Sequence, residues 1–181
     1  MLLAYDEILE LLRQGVVENA SPELVNSTSL DITLGDSLLL EGGKSWNGEP
    51  VDFRAREALN MWRAPISQEE GYVLIPGEFI LASSRQVFNL PLNISAELKL
   101  KSSVARSGIT NLLAGWCDPG WHHSVMTLEL QNCTRYHSIR IRPGDRIGQV
   151  VFFRHTAVPA EHSYKVKGRY NNDGRVEGIK L

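Results

Sequence analysis

Residues 98–132, LKLKSSVARSGITNLLAGWCDPGWHHSVMTLELQN, join two strand-like ends through a turn-rich middle. The first end closes the run 94–100 (ISAELKL) and the second is 124–131 (SVMTLELQ). Both alternate apolar and polar residues as a half-buried strand does. Asp118-Pro119-Gly120 between them is a turn signal. The same grammar extends outward on both sides. Short strand-like runs occur at 72–75 (YVLI), 78–84 (EFILASS), 137–142 (HSIRIR) and 146–153 (RIGQVVFF), separated by Pro76-Gly77 and Pro143-Gly144-Asp145. Upstream, 29–34 (SLDITL) predicts a strand that Gly35-Asp36 turns into a second one, Ser37–Leu40. Many short strands without intervening helices predict an all-β barrel or sandwich, not a βαβ fold. The exceptions are an N-terminal helix over 5–14, stopped at Gly15, and one or two helical turns expected over 53–63 (FRAREALNMWR). Residues 42–50 predict a loop, and 165–181 a mobile C-terminal arm. No repeat or linker divides the chain, so 1–181 is expected to be a single domain.

The 181 residues are 43% apolar and 22% charged, ordinary for a globular protein. A net charge of −2 argues against a general nucleic-acid binder but leaves room for a local basic pocket holding a small anion. No run of about 18 apolar residues exists to cross a membrane as a helix. Asp6, Glu7 and Glu10 interrupt the N-terminal apolar stretch, so it reads as an amphipathic helix and not a signal peptide. The expected location is the cytoplasm, where the sequons at Asn26, Asn93 and Asn132 are chance matches and Cys117 and Cys133 stay reduced.

Two motifs fail on inspection. Gly42-Gly43-Lys44-Ser45 resembles the end of a phosphate loop, but the glycine it requires upstream is Leu38. No histidine is followed two positions on by glutamate, and no Cys-x-x-Cys exists, so neither the zinc deaminase signature nor a structural zinc site is present. His122 and His123 are adjacent and would point to opposite faces of a strand, so a polar turn is their expected role.

The quoted stretch also concentrates chemistry. Lys101, Ser102, Ser103 and Arg106 form a basic-hydroxyl patch suited to phosphate oxygens, or simply a solvated rim. Asp118 sits in the turn. Glu129 lies between Leu128 and Leu130, on the face opposite to them. Such a glutamate is either solvent-facing on an outer strand or a general base in a cleft, with a raised pKa.

Together these residues resemble the dCTP deaminase branch of the dCTP deaminase and dUTPase superfamily. The resemblance rests on Lys101-Ser102-Ser103-Val104-Ala105-Arg106-Ser107-Gly108, Asp118-Pro119-Gly120-Trp121, Leu128-Glu129-Leu130-Gln131-Asn132 and Pro143-Gly144-Asp145-Arg146-Ile147-Gly148-Gln149. Upstream it adds Ser29-Leu30-Asp31-Ile32-Thr33-Leu34-Gly35 and Pro76-Gly77-Glu78-Phe79-Ile80-Leu81-Ala82, so that it runs in order from about residue 29 to 152. It implies a mostly β, jelly-roll-like distorted barrel of the dUTPase type. It further implies a homotrimer with sites at subunit interfaces, Mg2+ carried on the triphosphate, and no zinc. Glu129 matches the glutamate that activates water for attack on C4 of cytosine. Ser102 and Arg106 match the residues that hold the water and stabilise the transition state. Asp118 matches the aspartate near the deoxyribose, which in dUTPases orients the water that attacks the α-phosphate. Ala114 lies where the base is read through backbone groups. Lys101, Ser103, Gln149, Tyr164, Arg169 and Tyr170 would also meet the nucleotide.

The chain departs from the pattern in four places. Lys101 replaces an arginine and loses its bidentate fork. The spacing is one residue longer between Trp121 and Glu129, and one shorter between Arg106 and Asp118. The arm, Arg169-Tyr170-Asn171-Asn172-Asp173-Gly174, has Asp173 where an amide is usual, a carboxylate that phosphates tolerate only with magnesium between. Ala114-Gly115-Trp116 is similar to members that go on to make dUMP, although Leu113 stands where those carry threonine. The expected reaction is hydrolysis of dCTP to dUTP and ammonia. The alternatives are a dUMP-forming bifunctional enzyme, or a non-catalytic or modified-cytosine nucleotide-binding relative.

Overall fold

The computed structural model describes residues 1–42, 48–55, 57–112 and 114–180. Strand β1 (Val17–Glu18) follows helix α1 (Tyr5–Arg13) and precedes the long strand β2 (Leu30–Glu41). Next come β3 (Met61–Pro65), β4 (Tyr72–Leu74), β5 (Phe79–Phe88) and β6 (Ile94–Leu100). The short helix α2 (Ser102–Arg106) leads to β7 (Ile109–Thr110), β8 (Trp116–Cys117) and β9 (Ser124–Asn132). The chain ends through β10 (Ile139–Ile141), β11 (Arg146–Arg154) and helix α3 (Tyr164–Lys167). The main sheet runs β7-β9-β5-β2-β11-β6-β8, with β1 on β5 and β3 on β2, and β4 pairs with β10. The architecture is a curled, mostly β half-barrel with a short N-terminal helix, as the resemblance implied.

β2 makes the curl. Its first residues pair with β11, and its last pair with β5 and β3. The register shifts between Leu34 and Leu38, which bends the strand from one layer into the other. The expected turn at Gly35-Asp36 is therefore a bulge within one strand. A side chain at Gly35 would lie 2.6 Å from Ser83 Oγ, so only glycine lets β5 come this close. The core between the layers is built from Leu30, Ile32, Leu38, Ile80, Phe88, Leu128, Leu130 and Phe152, with Ile8 and Leu11 of α1 sealing one end.

Two other expectations change. Residues 61–65 form strand β3, where helical turns were expected. Leu40 and Leu39 of β2 offer unpaired backbone to Trp62 and Arg63, and this pairing overrides the weak helical pattern. The C-terminal arm is seated on the protein. Val176 is fully buried against Leu39 and Leu81, and Arg63 donates to the Val176 carbonyl at 2.8 Å. The buried valine and the charge-assisted hydrogen bond help to fix a polar segment. Gly43, Lys44, Ser45, Trp46 and Asn47 of the 42–50 loop and phosphate-loop match lie outside the described residues, as do Arg56, Leu113 and Leu181. Among the described residues no helix is long and apolar enough to cross a membrane.

Candidate active site

Glu129 sits on β9, where alternation sends Leu128 and Leu130 into the core and Glu129 to the opposite face. Its registered neighbours are Leu81 on β5, then Leu39 on β2, then Arg63 on β3. These four side chains form one row across the outer face of the sheet. The arm roofs this row, so the face opposite the core is a cavity and not open solvent. The cavity measures about 900 Å³.

Glu129 Oε2 is buried and has no hydrogen-bond partner. Burial raises the carboxyl pKa above its ordinary value, opposed by a smaller effect of its own backbone amide. An unpartnered carboxylate in a cavity is a proton acceptor waiting for a partner that the protein does not supply.

Asp118, Ala114 and Cys117 reach the cavity from the segment around β8. Gly115 lets this segment lie flat on β6, because a Cβ there would meet the Leu98 carbonyl at 2.8 Å. The Gly115 carbonyl accepts from Leu98 N–H at 2.8 Å and fixes the approach. Asp118 opens the turn closed by Trp121 N–H on its carbonyl at 3.2 Å. Its Oδ1 accepts from Trp116 Nε1 at 3.0 Å. Burial, with Asp118 beside it, pushes the Cys117 thiol up to about 12, so it is a neutral wall and no nucleophile.

Tyr164 and Tyr170 complete the far wall. Burial raises the Tyr164 phenol, so it stays a neutral hydrogen-bonding group. Trp121 Nε1 donates to the Tyr170 carbonyl at 2.7 Å, and Ser124 Oγ donates to the same oxygen at 3.1 Å. His122 sits against Asn171 Oδ1, with its ring Nδ1 at 3.0 Å. Trp121, His122 and Ser124 thus grip the arm.

The structure brings together Glu129, Asp118, Ala114, Tyr164 and Tyr170. It does not place Lys101, Ser102, Ser103, Arg106, Gln149 or Arg169 in the same cavity wall. Ser102, Ser103 and Arg106 are exposed on α2. Lys101 donates to buried Asp31 at 2.6 Å, and Arg146 reaches the same carboxylate at 3.2 Å. Gln149 lies next to this group, its Oε1 3.5 Å from Ser29 Oγ. Sequence reasoning missed Trp116 as the partner of Asp118, Arg63 as the anchor of the arm, and Glu57 and Glu177 in the cavity wall, whereas Asp173, singled out in the arm, does line it. The Asn171–His122 contact had a signal in the length change at that point. Arg63 had none, because its place follows from strand register. Among the described residues, no three His, Cys, Asp or Glu side chains converge as metal ligands.

A family model described as dCTP deaminase-like matches residues 2–155. The protein from Acidothermus cellulolyticus named "dCTP deaminase, dUMP-forming" is 36% identical over 169 residues, covering 91% of this chain and 85% of its own. A protein of the same name from Nanoarchaeum equitans is 33% identical over 183 residues, covering 93% and 90%. The crystal structure of 2'-deoxycytidine 5'-triphosphate deaminase from Agrobacterium tumefaciens superposes with a TM-score of 0.66 at 24% identity. That likeness covers 88% of this chain and 50% of that one, and it supports the fold. The family match begins before α1, takes in Asp118 and Glu129, and ends just after β11, so the chain belongs to the dCTP deaminase-like family.

Proposed function

We propose that this chain hydrolyses the exocyclic amine of dCTP and then cleaves the resulting dUTP to dUMP and pyrophosphate. The observation that carries the reading is the buried, unpartnered Oε2 of Glu129 in a cavity shared with Asp118. Glu129 takes a proton from water as the water oxygen bonds to C4. It returns a proton to the amino nitrogen as the C4–N bond breaks and ammonia leaves, and the hydroxyl proton left at C4 passes to ring N3 to give uracil. Asp118 then orients a second water toward the α-phosphorus, the bond to the β-phosphate oxygen breaks, and pyrophosphate departs. The relatives named dUMP-forming support the second step, as does the Gly115-Trp116 pair.

The cavity's charge supports a site shared between copies. Among the described residues its wall carries the carboxylates Glu57, Asp118, Glu129, Asp173 and Glu177 and no lysine, arginine or histidine. Asp173 is already paired with Lys180, and Glu177 with Arg63 and Arg175, so these cations are spent, and a triphosphate does not settle against the remaining carboxylates alone. Ser102 and Arg106 on exposed α2 are suited to enter the cavity of a neighbouring copy in a homotrimer, where Arg106 stabilises the charge that develops on the base. Mg2+ bound with the triphosphate supplies further neutralisation. Phosphate oxygens and water would hold that hard cation, since Asp173 in the wall is already paired with Lys180. Zinc is not part of the proposal, because the sequence lacks the His-x-Glu pattern.

Incubation of the purified protein with dCTP and Mg2+, resolving dCTP, dUTP, dUMP, pyrophosphate and ammonia, tests the reading. Ammonia with dUMP and pyrophosphate is the expected result. Accumulation of dUTP as the end product removes the second step, and no ammonia removes the first.

A further inference from the structure

We propose that Trp116 is a positioning residue that aims the Asp118 carboxylate for the phosphate-cleaving step and leaves deamination alone. The inference deepens the reading that dUTP is cleaved at this site. Trp116 and Asp118 are two residues apart on an extended segment, so their side chains share a face. The indole Nε1–H donates to Asp118 Oδ1 at 3.0 Å. A carboxylate only accepts, so this bond commits one oxygen and leaves Oδ2 to receive a proton from water. The indole itself is held from behind. Its ring stacks on Phe153 of β11, with centroids 6.1 Å apart and planes at 28°. Register explains the contact: Trp116 opposes Glu97, Glu97 opposes Val151, and Phe153 is the diagonal neighbour on the same face. The chain Phe153, Trp116, Asp118 therefore runs from the sheet to the cavity wall.

Glu129 has no part in this chain. It reaches the same cavity from β9, its raised pKa comes from burial, and its Oε2 has no hydrogen bond to Trp116 or to any other group among the described residues. The two hydrolytic steps are thus set by two separately supported carboxylates in one cavity. Loss of the indole donor frees Asp118 to rotate while Glu129 keeps its surroundings. Misplacing a group that aligns a nucleophile slows the aligned step alone.

The test uses the full-length protein with dCTP, and separately with dUTP, in the presence of Mg2+. In W116F the ring still stacks on Phe153, and Trp116 is 60% exposed, so the fold does not depend on the indole. At saturating dCTP, kcat for ammonia release should stay near wild type, with any change confined to KM because Trp116 also lines the cavity, while kcat for dUMP formation falls on the order of 10- to 100-fold and dUTP accumulates. In a D118N background, W116F should add little further loss, because Trp116 acts through Asp118. W116F making dUMP at the wild-type rate overturns the assignment. So does an equal loss of ammonia release, or a full W116F effect in the D118N background. A wild-type protein that releases ammonia but yields no dUMP from either nucleotide overturns the reading beneath it, and the assignment with it.

Discussion

Glu129 is a carboxylate held where the fold favours a neutral group. Burial raises its pKa, so the folded chain keeps a proton that the unfolded chain has released. Its contribution to stability therefore falls as pH climbs from the ordinary carboxylate range through the raised folded value. Glu129→Gln removes that loss. The variant should melt above wild type by a margin that is small near about pH 4 and grows by about pH 8, read by thermal denaturation across pH. The same variant should release ammonia at least about 1,000-fold more slowly while still binding dCTP by calorimetry, because an amide cannot shuttle the proton. In the wild type, the acid limb of kcat for ammonia release should lie above the ordinary carboxylate range. A limb within that range would place the essential base elsewhere.

At the scale of elements, the site is a sheet face with a roof. β9, β5, β2 and β3 bring Glu129, Leu81, Leu39 and Arg63 into one row, and the arm covers it through Val176. The Arg63 hydrogen bond to the Val176 carbonyl is charge-assisted, with Glu177 beside it at 3.5 Å. Arg63→Met keeps the stem and removes the donor. The global melting temperature should change little, while local opening of residues 173–178 becomes easier by about 1–2 kcal/mol. Faster amide exchange over those residues, and faster tryptic cleavage after Arg175, would report it. Unchanged exchange would show that Val176 packing and the hydrogen bonds joining Asp173 to Ser124 and Val125 hold the arm without this donor. This element also marks where the sequence stopped being legible. The alternating strands, the N-terminal helix and the opposed faces of Glu129 and Leu128 were readable, because period two is local information. β3 was not, since its helical spacing gave way to pairing with a strand some twenty residues upstream. The seating of the arm was not readable either, because Val176 is one apolar residue in a polar tail and its partners Leu39, Leu81 and Arg63 lie more than 90 positions away.

For the whole molecule, the near-zero net charge hides a separation of signs. Carboxylates line the cavity, where Lys180, Arg63 and Arg175 are spent on Asp173 and Glu177, whereas further cations gather around α2 and the start of β11. There Lys101 and Arg146 share the single buried carboxylate of Asp31, whose Oδ1 also accepts from Asn26 at 2.9 Å. Two cations on one carboxylate leave a positive excess beside Ser102, Ser103 and Arg106. A ligand with a long anionic tail needs both surfaces at once, and in one copy they do not share a wall. A ring of three copies joined by a heterologous interface would bring the α2 of one to the cavity of the next. Such a site carries its own genetic test. Arg106→Ala and Glu129→Gln should each abolish ammonia release when assayed alone. Unfolded together and refolded as mixed assemblies, they should regain about a quarter of wild-type activity, since random mixing pairs an intact Glu129 with an intact Arg106 at that fraction of interfaces. If both residues served a site within one copy, every copy would lack one of them, and the mixture would remain inactive.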